Sequence, residues 1–207
     1  MPGLLRLNFA WNEAWSRHIR DDGVTLKSSL QEFVVNFKIK RTAKLKIPLE
    51  FSTVISGGQI GADIAGLRAA KHVGLKTGGN MPNRFMALDG LHPEYAKLYG
   101  MVDDSAGYKS RTFKNVGQSD ATIRLATNFS SRGELCTLNA IKRYDKPYYD
   151  VDMVNYNRYI GPDDIVDFII YNQVTTLNIA GNANVELEKP IYELLVAVFS
   201  ELVQVCI

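Results

Sequence analysis

VISGGQIGAD, Val54 to Asp63, is the stretch on which the reading of this chain turns. A short β-branched run stops at three glycines within five positions, Gly57, Gly58 and Gly61, and an alanine-rich stretch follows. Glycine weakens any regular element, so this density marks a backbone that bends sharply or lets another group come close. The pattern predicts a strand over 53–56, a tight turn, and a helix over 61–73 with Ala62, Ala65, Ala69 and Val73 on one stripe. Gly66 is placed for close approach to a sheet, and Gly74 supplies a left-handed stop.

Downstream the same alternation repeats. Strands are expected over 121–127, 147–151 and 175–180, and helices over 134–144 and 163–171 and from Pro190 onward. Lys142 and Arg143 suit the negative end of the second helix, while Pro162, Asp163 and Asp164 suit the positive end of the third. Ile191, Leu194, Leu195, Val198, Phe199 and Leu202 recur at helical spacing. The fold class implied is α/β, a doubly wound, mostly parallel, Rossmann-like sheet with an N-terminal extension. The extension covers 1–50, to which the residues assign no element, and the Rossmann-like domain covers 51–207, with Pro48 marking the boundary. Residues 75–119 carry Gly78, Gly79, Pro82, Gly90 and Pro93 with little periodicity, and read as a long irregular functional loop.

A formal net charge of +2 gives no general field for polyanions or membranes. The basic run of Lys38, Lys40, Arg41, Lys44 and Lys46 reads as a solvated face more readily than as a nucleic-acid arm. The 191–207 segment is broken by Glu193, Ser200, Glu201 and Gln204, short of the roughly 20 apolar residues that span a bilayer. Cys136 and Cys206 lie far apart, and neither they nor His18, His72 and His92 show metal-ligand spacing. The expectation is a reducing, cytoplasmic setting, no metal, and an inert Cys136.

In doubly wound sheets the strand-to-helix turns line one edge, where ligands meet helix N-termini. Gly57, Gly58 and Gly61 fit an open cradle of main-chain amides for an anion, most often phosphate, and Gln59 adds an amide group. Tight packing is the bland account of the same glycines. The turn matches neither GxGxxG nor GxxxxGK[ST], which disfavours a nicotinamide dehydrogenase or an ordinary ATPase. Asp63 caps its helix or contacts hydroxyls or a pterin-type ring. Arg111 grips a phosphate or forms a surface ion pair. Arg84 and Tyr108 read as solvent-exposed rather than as clamping groups.

GGQIGADIAGLRAA at 57–70, Gly78-Gly79, Pro82, Asp89-Gly90, RTFKNVGQSDAT at 111–122, KPYYDVD at 146–152 and LNIAGNAN at 177–184 resemble, in that order, a family assigned as molybdenum-cofactor carriers. That family lies in the SLOG branch of Rossmann-like folds, beside the lysine-decarboxylase-like phosphoribohydrolases and the nucleotide-sensing domains of some bacterial defence proteins. The resemblance spans 53–203. It implies a homo-oligomer, dimer or tetramer, that binds a small phosphorylated ligand without transforming it, either a molybdopterin-type cofactor or a nucleotide-derived signal. It places Gly57, Gly58, Gln59, Gly61 and Asp63 on one wall of the site, with Arg111, Thr112 and Asn115 nearby and Arg132, Gly133 and Glu134 at a second turn.

This chain departs from the family at several of those positions. Ile60 and Ile64 stand where members carry threonine and arginine, and Arg132-Gly133-Glu134 stands where they carry glycine-glycine-threonine. Thr137 occupies the place of the carboxylate that the phosphoribohydrolases need, and Glu134 lies one helical turn earlier. A carrier or sequestering protein is therefore the leading expectation. A nucleoside-monophosphate phosphoribohydrolase with Glu134 as its acid is the enzymatic alternative, and a DNA-binding or scaffold module acting through the basic N-terminal run is the third.

Overall fold

The apolar run before the glycine turn forms strand β1 (Thr53–Ser56), and the alanine-rich stretch after it forms helix α1 (Ala62–His72). The computed structural model describes residues 50–156 and 161–205. The chain divides after Pro48 into two units, and these residues belong to the second. The basic N-terminal run and Cys206 lie outside the described residues.

Six described strands form one sheet, in the order β5-β2-β1-β8-β6-β7 once β2 (Lys76–Pro82), β5 (Met101–Asp104), β6 (Ala121–Ala126), β7 (Tyr148–Asp152) and β8 (Thr176–Gly181) are placed. Every pairing in it is parallel. From β1 the chain steps outward to β2 and β5; from β6 it steps the other way to β7; β8 then closes between β1 and β6. The direction of winding reverses at that central gap, the place where doubly wound folds open a crevice at the strands' carboxyl ends.

The two faces of the sheet differ in chemistry. Register puts Val54, Leu177, Ile179, Ile123, Leu125 and Val151 on one face. They pack in one apolar core with Ala65 and Ala69 of α1, Ile165 and Ile169 of α5 (Pro162–Tyr171), and Ile191, Leu195, Val198 and Phe199 of α6 (Glu188–Val205). The apolar stripe of α6 is thus buried against its own sheet. Gly66 makes the close approach its position predicts, since a Cβ there would lie 2.7 Å from the Ile179 side chain.

The opposite face carries Asn178, Thr122, Arg124 and Asp150. It lies beneath α3 (Gly107–Gln118) and α4 (Arg132–Tyr144), which share a small apolar contact of Val116, Ala140 and Ile141. Polar groups buried in a sheet interior need partners, and Asn178 Nδ2 donates to Thr122 Oγ1 across the strands.

Residues 75–119 are not the irregular loop that their composition predicts. They hold β2, a hairpin of β3 (Met86–Ala87) and β4 (Gly90–Leu91), the short helix α2 (Tyr95–Tyr99), β5 and α3. One of the glycines that signal a loop is required by strand contact: Gly79 has φ +122, and a Cβ on it would sit 2.1 Å from the Ser56 carbonyl oxygen. Among the described residues no helix is long and apolar enough to cross a membrane, and no group of three or more His, Cys, Asp or Glu side chains could hold a metal ion.

Candidate functional site

At the carboxyl edge of the sheet, the turn after β1 is shaped by packing more than by openness. Gly58 (φ +68) faces Met81, whose sulfur would lie 2.6 Å from an added Cβ. Gly61 (φ +83) lies against the loop after β8, where a Cβ would be 2.3 Å from the Asn182 carbonyl oxygen. The turn's amides have partners within the protein. Gln59 N donates to Asp63 Oδ2, Gly61 N to Glu188 Oε1, Ala62 N to the Asn182 carbonyl and Ile64 N to the Gln59 carbonyl. In the turn expected to form an open phosphate cradle over Gly57 to Gly61, the donors at 59, 61, 62 and 64 are therefore already satisfied within the protein.

What stands over Gly57 is a side chain. A Cβ at Gly57 would fall 1.5 Å from Arg111 Nη1 and 2.7 Å from Asp63 Oδ2, so the missing side chain is the space in which the Arg111 guanidinium lies. Arg111 reaches there from α3 and Asp63 from the first turn of α1, and they pair at 3.3 Å. Both are largely enclosed, and Arg111 Nε is buried with no hydrogen-bond partner among the described residues. Burial holds the Asp63 proton affinity above the ordinary carboxylate range, with Arg111 and the Gln59 amide opposing it.

The second turn contributes Glu134. Ser131 Oγ caps α4 by accepting from Glu134 N at 3.4 Å, and the Glu134 carboxyl is buried, with Oε2 lacking a hydrogen-bond partner among the described residues. Its pKa is pushed up to about 7 by burial and by the negative charges of Asp63 and Asp150, against the opposing charges of Arg124 and Arg111. Four charged groups from four elements thus act on one carboxyl.

Arg124 is the member of this cluster that the sequence reading missed. Its Nε and Nη2 form a fork onto Asp150 at 2.7 and 2.5 Å, and Nη1 donates to the Glu134 carbonyl at 3.2 Å. Its guanidinium carbon lies 5.1 Å from the Phe129 ring centre and 5.4 Å from that of Tyr148. A usable signal was present: one arginine inside the apolar run ATIRLA can be tolerated in a buried strand only with an acid opposite it, and KPYYDVD supplies Asp150 at the paired register position.

Other expected site residues hold the scaffold. Asn115 Nδ2 donates to the carbonyls of Ser56 and Asn80, and its Oδ1 accepts from Asn80 N and Nδ2, which bridges β1 and β2 where they diverge. The Gln59 amide is used at both ends by the β3–β4 hairpin, donating to the Met86 carbonyl at 3.0 Å and accepting from Leu88 N at 3.2 Å. Thr112 Oγ1 donates to the Tyr108 carbonyl of its own helix. Arg132 and Gly133 are exposed at the start of α4, and a Cβ on Gly133 would meet nothing within 4 Å. The structure therefore brings together Gly57, Asp63, Arg111 and Glu134, adds Arg124 and Asp150, and gives Gln59, Thr112 and Asn115 bonds within the protein. Cys136 is a free, half-buried thiol.

Comparison with known proteins accords with this architecture. The family model described as "Circularly permutated YpsA SLOG family" matches residues 54–203. Among solved structures, the chain is similar to the crystal structure of a "Putative molybdenum carrier protein" from Syntrophus aciditrophicus SB. That match has 29% identity and a TM-score of 0.60, and covers 76% of this chain and 96% of the other. No curated protein matches.

Proposed function

This chain belongs to the circularly permutated YpsA SLOG family, and from that premise we propose that it binds a small heterocycle bearing one phosphate ester and holds it without transforming it. Molybdopterin-type cofactors and nucleoside monophosphates both belong to that class. The role is that of a carrier or sequestering protein, and the solved relative's description as a molybdenum carrier supports it.

The observation that carries the reading is the Arg111 guanidinium lying on Gly57 at the winding-reversal edge. A guanidinium with a buried, unpartnered N–H is suited to an incoming oxyanion, which it can grip with two parallel hydrogen bonds. The charge balance sets the size of the anion. Arg111 and Arg124 face Asp63, Asp150 and Glu134, and burial favours the neutral form of both Asp63 and Glu134. Such a site suits a single phosphate better than a polyphosphate, whose repeated charges would meet carboxylates. Assembly as a homo-oligomer, measurable by light scattering, is part of the same proposal.

The test is calorimetric titration with ribose 5-phosphate and adenosine monophosphate. Arg111→Ala is expected to weaken both by about 10- to 100-fold, in line with about 1.5–3 kcal/mol for a hydrogen bond to a charged group. Equal affinity in the variant and the parent protein would remove the basis of the proposal.

One observation favours a second reading. A buried acid that holds its proton to about pH 7 is also what a general acid for glycosidic cleavage requires. A phosphoribohydrolase would release free adenine from adenosine monophosphate, and Glu134→Gln would abolish the release; no free base over long incubation excludes it for that substrate.

A further inference from the structure

We propose that Glu134 reads the heterocycle of the bound ligand, donating a hydrogen bond from a neutral carboxyl to a ring nitrogen or ring carbonyl, so that the site selects heterocycles with an unprotonated acceptor edge. The inference rests on the reading that Arg111 takes the phosphate, and adds the group that recognises the other end of the molecule.

The geometry comes first. Glu134 is fixed at both ends of its peptide unit, with its N–H on Ser131 Oγ and its carbonyl on Arg124 Nη1. The backbone bearing the carboxyl is therefore not free to turn away. Oε2 is buried and unpartnered among the described residues. The nearest cation atom, Arg124 Nη1, stands 3.8 Å from it, beyond hydrogen-bond length. Arg124 cannot swing in to close that gap, because two of its nitrogens are committed to Asp150 and Phe129 and Tyr148 lie against it.

A buried carboxylate with one free oxygen is strongly unfavourable, whereas a buried neutral carboxyl needs only an acceptor for its O–H. The charged groups facing it are Arg124 on β6, Asp150 on β7, Asp63 on α1 and Arg111 on α3. The two acids and burial prevail over the two arginines, and the carboxyl keeps its proton to about pH 7.

The experiment titrates ribose 5-phosphate and adenosine monophosphate at pH 6 and pH 8 into the parent protein, Glu134→Gln and Glu134→Ala, each first checked for folding by thermal unfolding. Ribose 5-phosphate shares the phosphate and its ionisation but has no base, so the affinity ratio of the two probes isolates the heterocycle contact. In the parent protein the ratio is expected to fall about tenfold from pH 6 to pH 8, following the protonated fraction of Glu134. In Glu134→Gln, whose amide keeps a donor at every pH, the ratio stays level; in Glu134→Ala it is low at both.

A level ratio in the parent protein, or a Glu134→Gln variant that loses as much as Glu134→Ala, overturns the inference. If ribose 5-phosphate binds through Arg111 and only the Glu134 effects are missing, this inference fails and the phosphate reading stands. Failure of both probes to bind the parent protein overturns the two together.

Discussion

Replacing Glu134 by glutamine should change how stability depends on pH, and the size of the change follows from the structure. The folded protein holds the Glu134 proton to about pH 7, against 4.5 for an ordinary glutamate. At about 1.4 kcal/mol for each tenfold change in proton affinity, that displacement corresponds to about 3 kcal/mol. The sign follows from proton counting. Between pH 4.5 and 7 the unfolded chain releases a proton that the native state keeps, so rising pH drains stability across that window, and above pH 7 the loss is complete. Glutamine has nearly the same shape and never ionises, so the variant lacks this loss. The unfolding free energy of Glu134→Gln relative to the parent protein should rise by about 2.5 kcal/mol between pH 5 and pH 8, read from urea titrations at each pH. Asp63 has an upward shift of the same sign, but it is present in both proteins and largely cancels. A difference between variant and parent that stays level from pH 5 to pH 8 would mean that Glu134 titrates normally, and the reasoning about a neutral donor would fall with it.

Gly61→Ala places a Cβ 2.3 Å from the Asn182 carbonyl oxygen at a φ of +83, and should lower stability by about 3–5 kcal/mol in the same urea assay; a loss below about 1 kcal/mol would contradict the packing account of that glycine. Gln59→Ala removes both bonds to the β3–β4 hairpin and should speed amide exchange at Leu88 by about tenfold or more, with exchange at β1 and β8 amides unchanged.

Where sequence pattern and local packing agree, the elements were legible. The strand over 53–56 matches β1, and the helix over 61–73 with its stop at Gly74 matches α1 to within a residue. The expected strand over 121–127 and helix over 134–144 differ from β6 and α4 by one and two residues at an end. In each case a β-branched or amphipathic stretch is buried in or against the sheet, α1 on its apolar face and α4 on the other, so burial itself writes the pattern. The elements of 75–119 lack that imprint for identifiable reasons. β2 reads KTGGNMP because Gly79 must pass the Ser56 carbonyl, β5 is a short edge strand with Val102 and Asp103 exposed, and α3 buries only Asn115 and Val116. The glycine turn was legible as a turn, and Asp63, Arg111 and Glu134, expected near it from the sequence, lie at the same edge. Arg124 was not, because its partner Asp150 is 26 residues away and becomes a neighbour only once β6 and β7 pair.

The turn after β1 also shows why glycine count alone misleads about mechanism. Three glycines invite the inference of a bare backbone waiting for an anion, yet two of them are required by Met81 and Asn182. Gly57, the third, makes room for Arg111, so that in the proposed function a guanidinium takes the place of fixed amides as the anion-binding element. The exchange has an electrostatic consequence. Asp63 now neutralises Arg111 when no anion is present, and it does so from a site where burial already favours its neutral form. An anion that draws Arg111 away removes the main charge opposing protonation of Asp63, so the carboxyl can take up a proton instead of repelling the phosphate. The pair at 3.3 Å is therefore suited to breaking on ligand entry, because the acid left behind need not remain charged. Fixed amides offer no such release, and the carboxylates around this edge, which would oppose an anion in an open amide cradle, are compatible with one here.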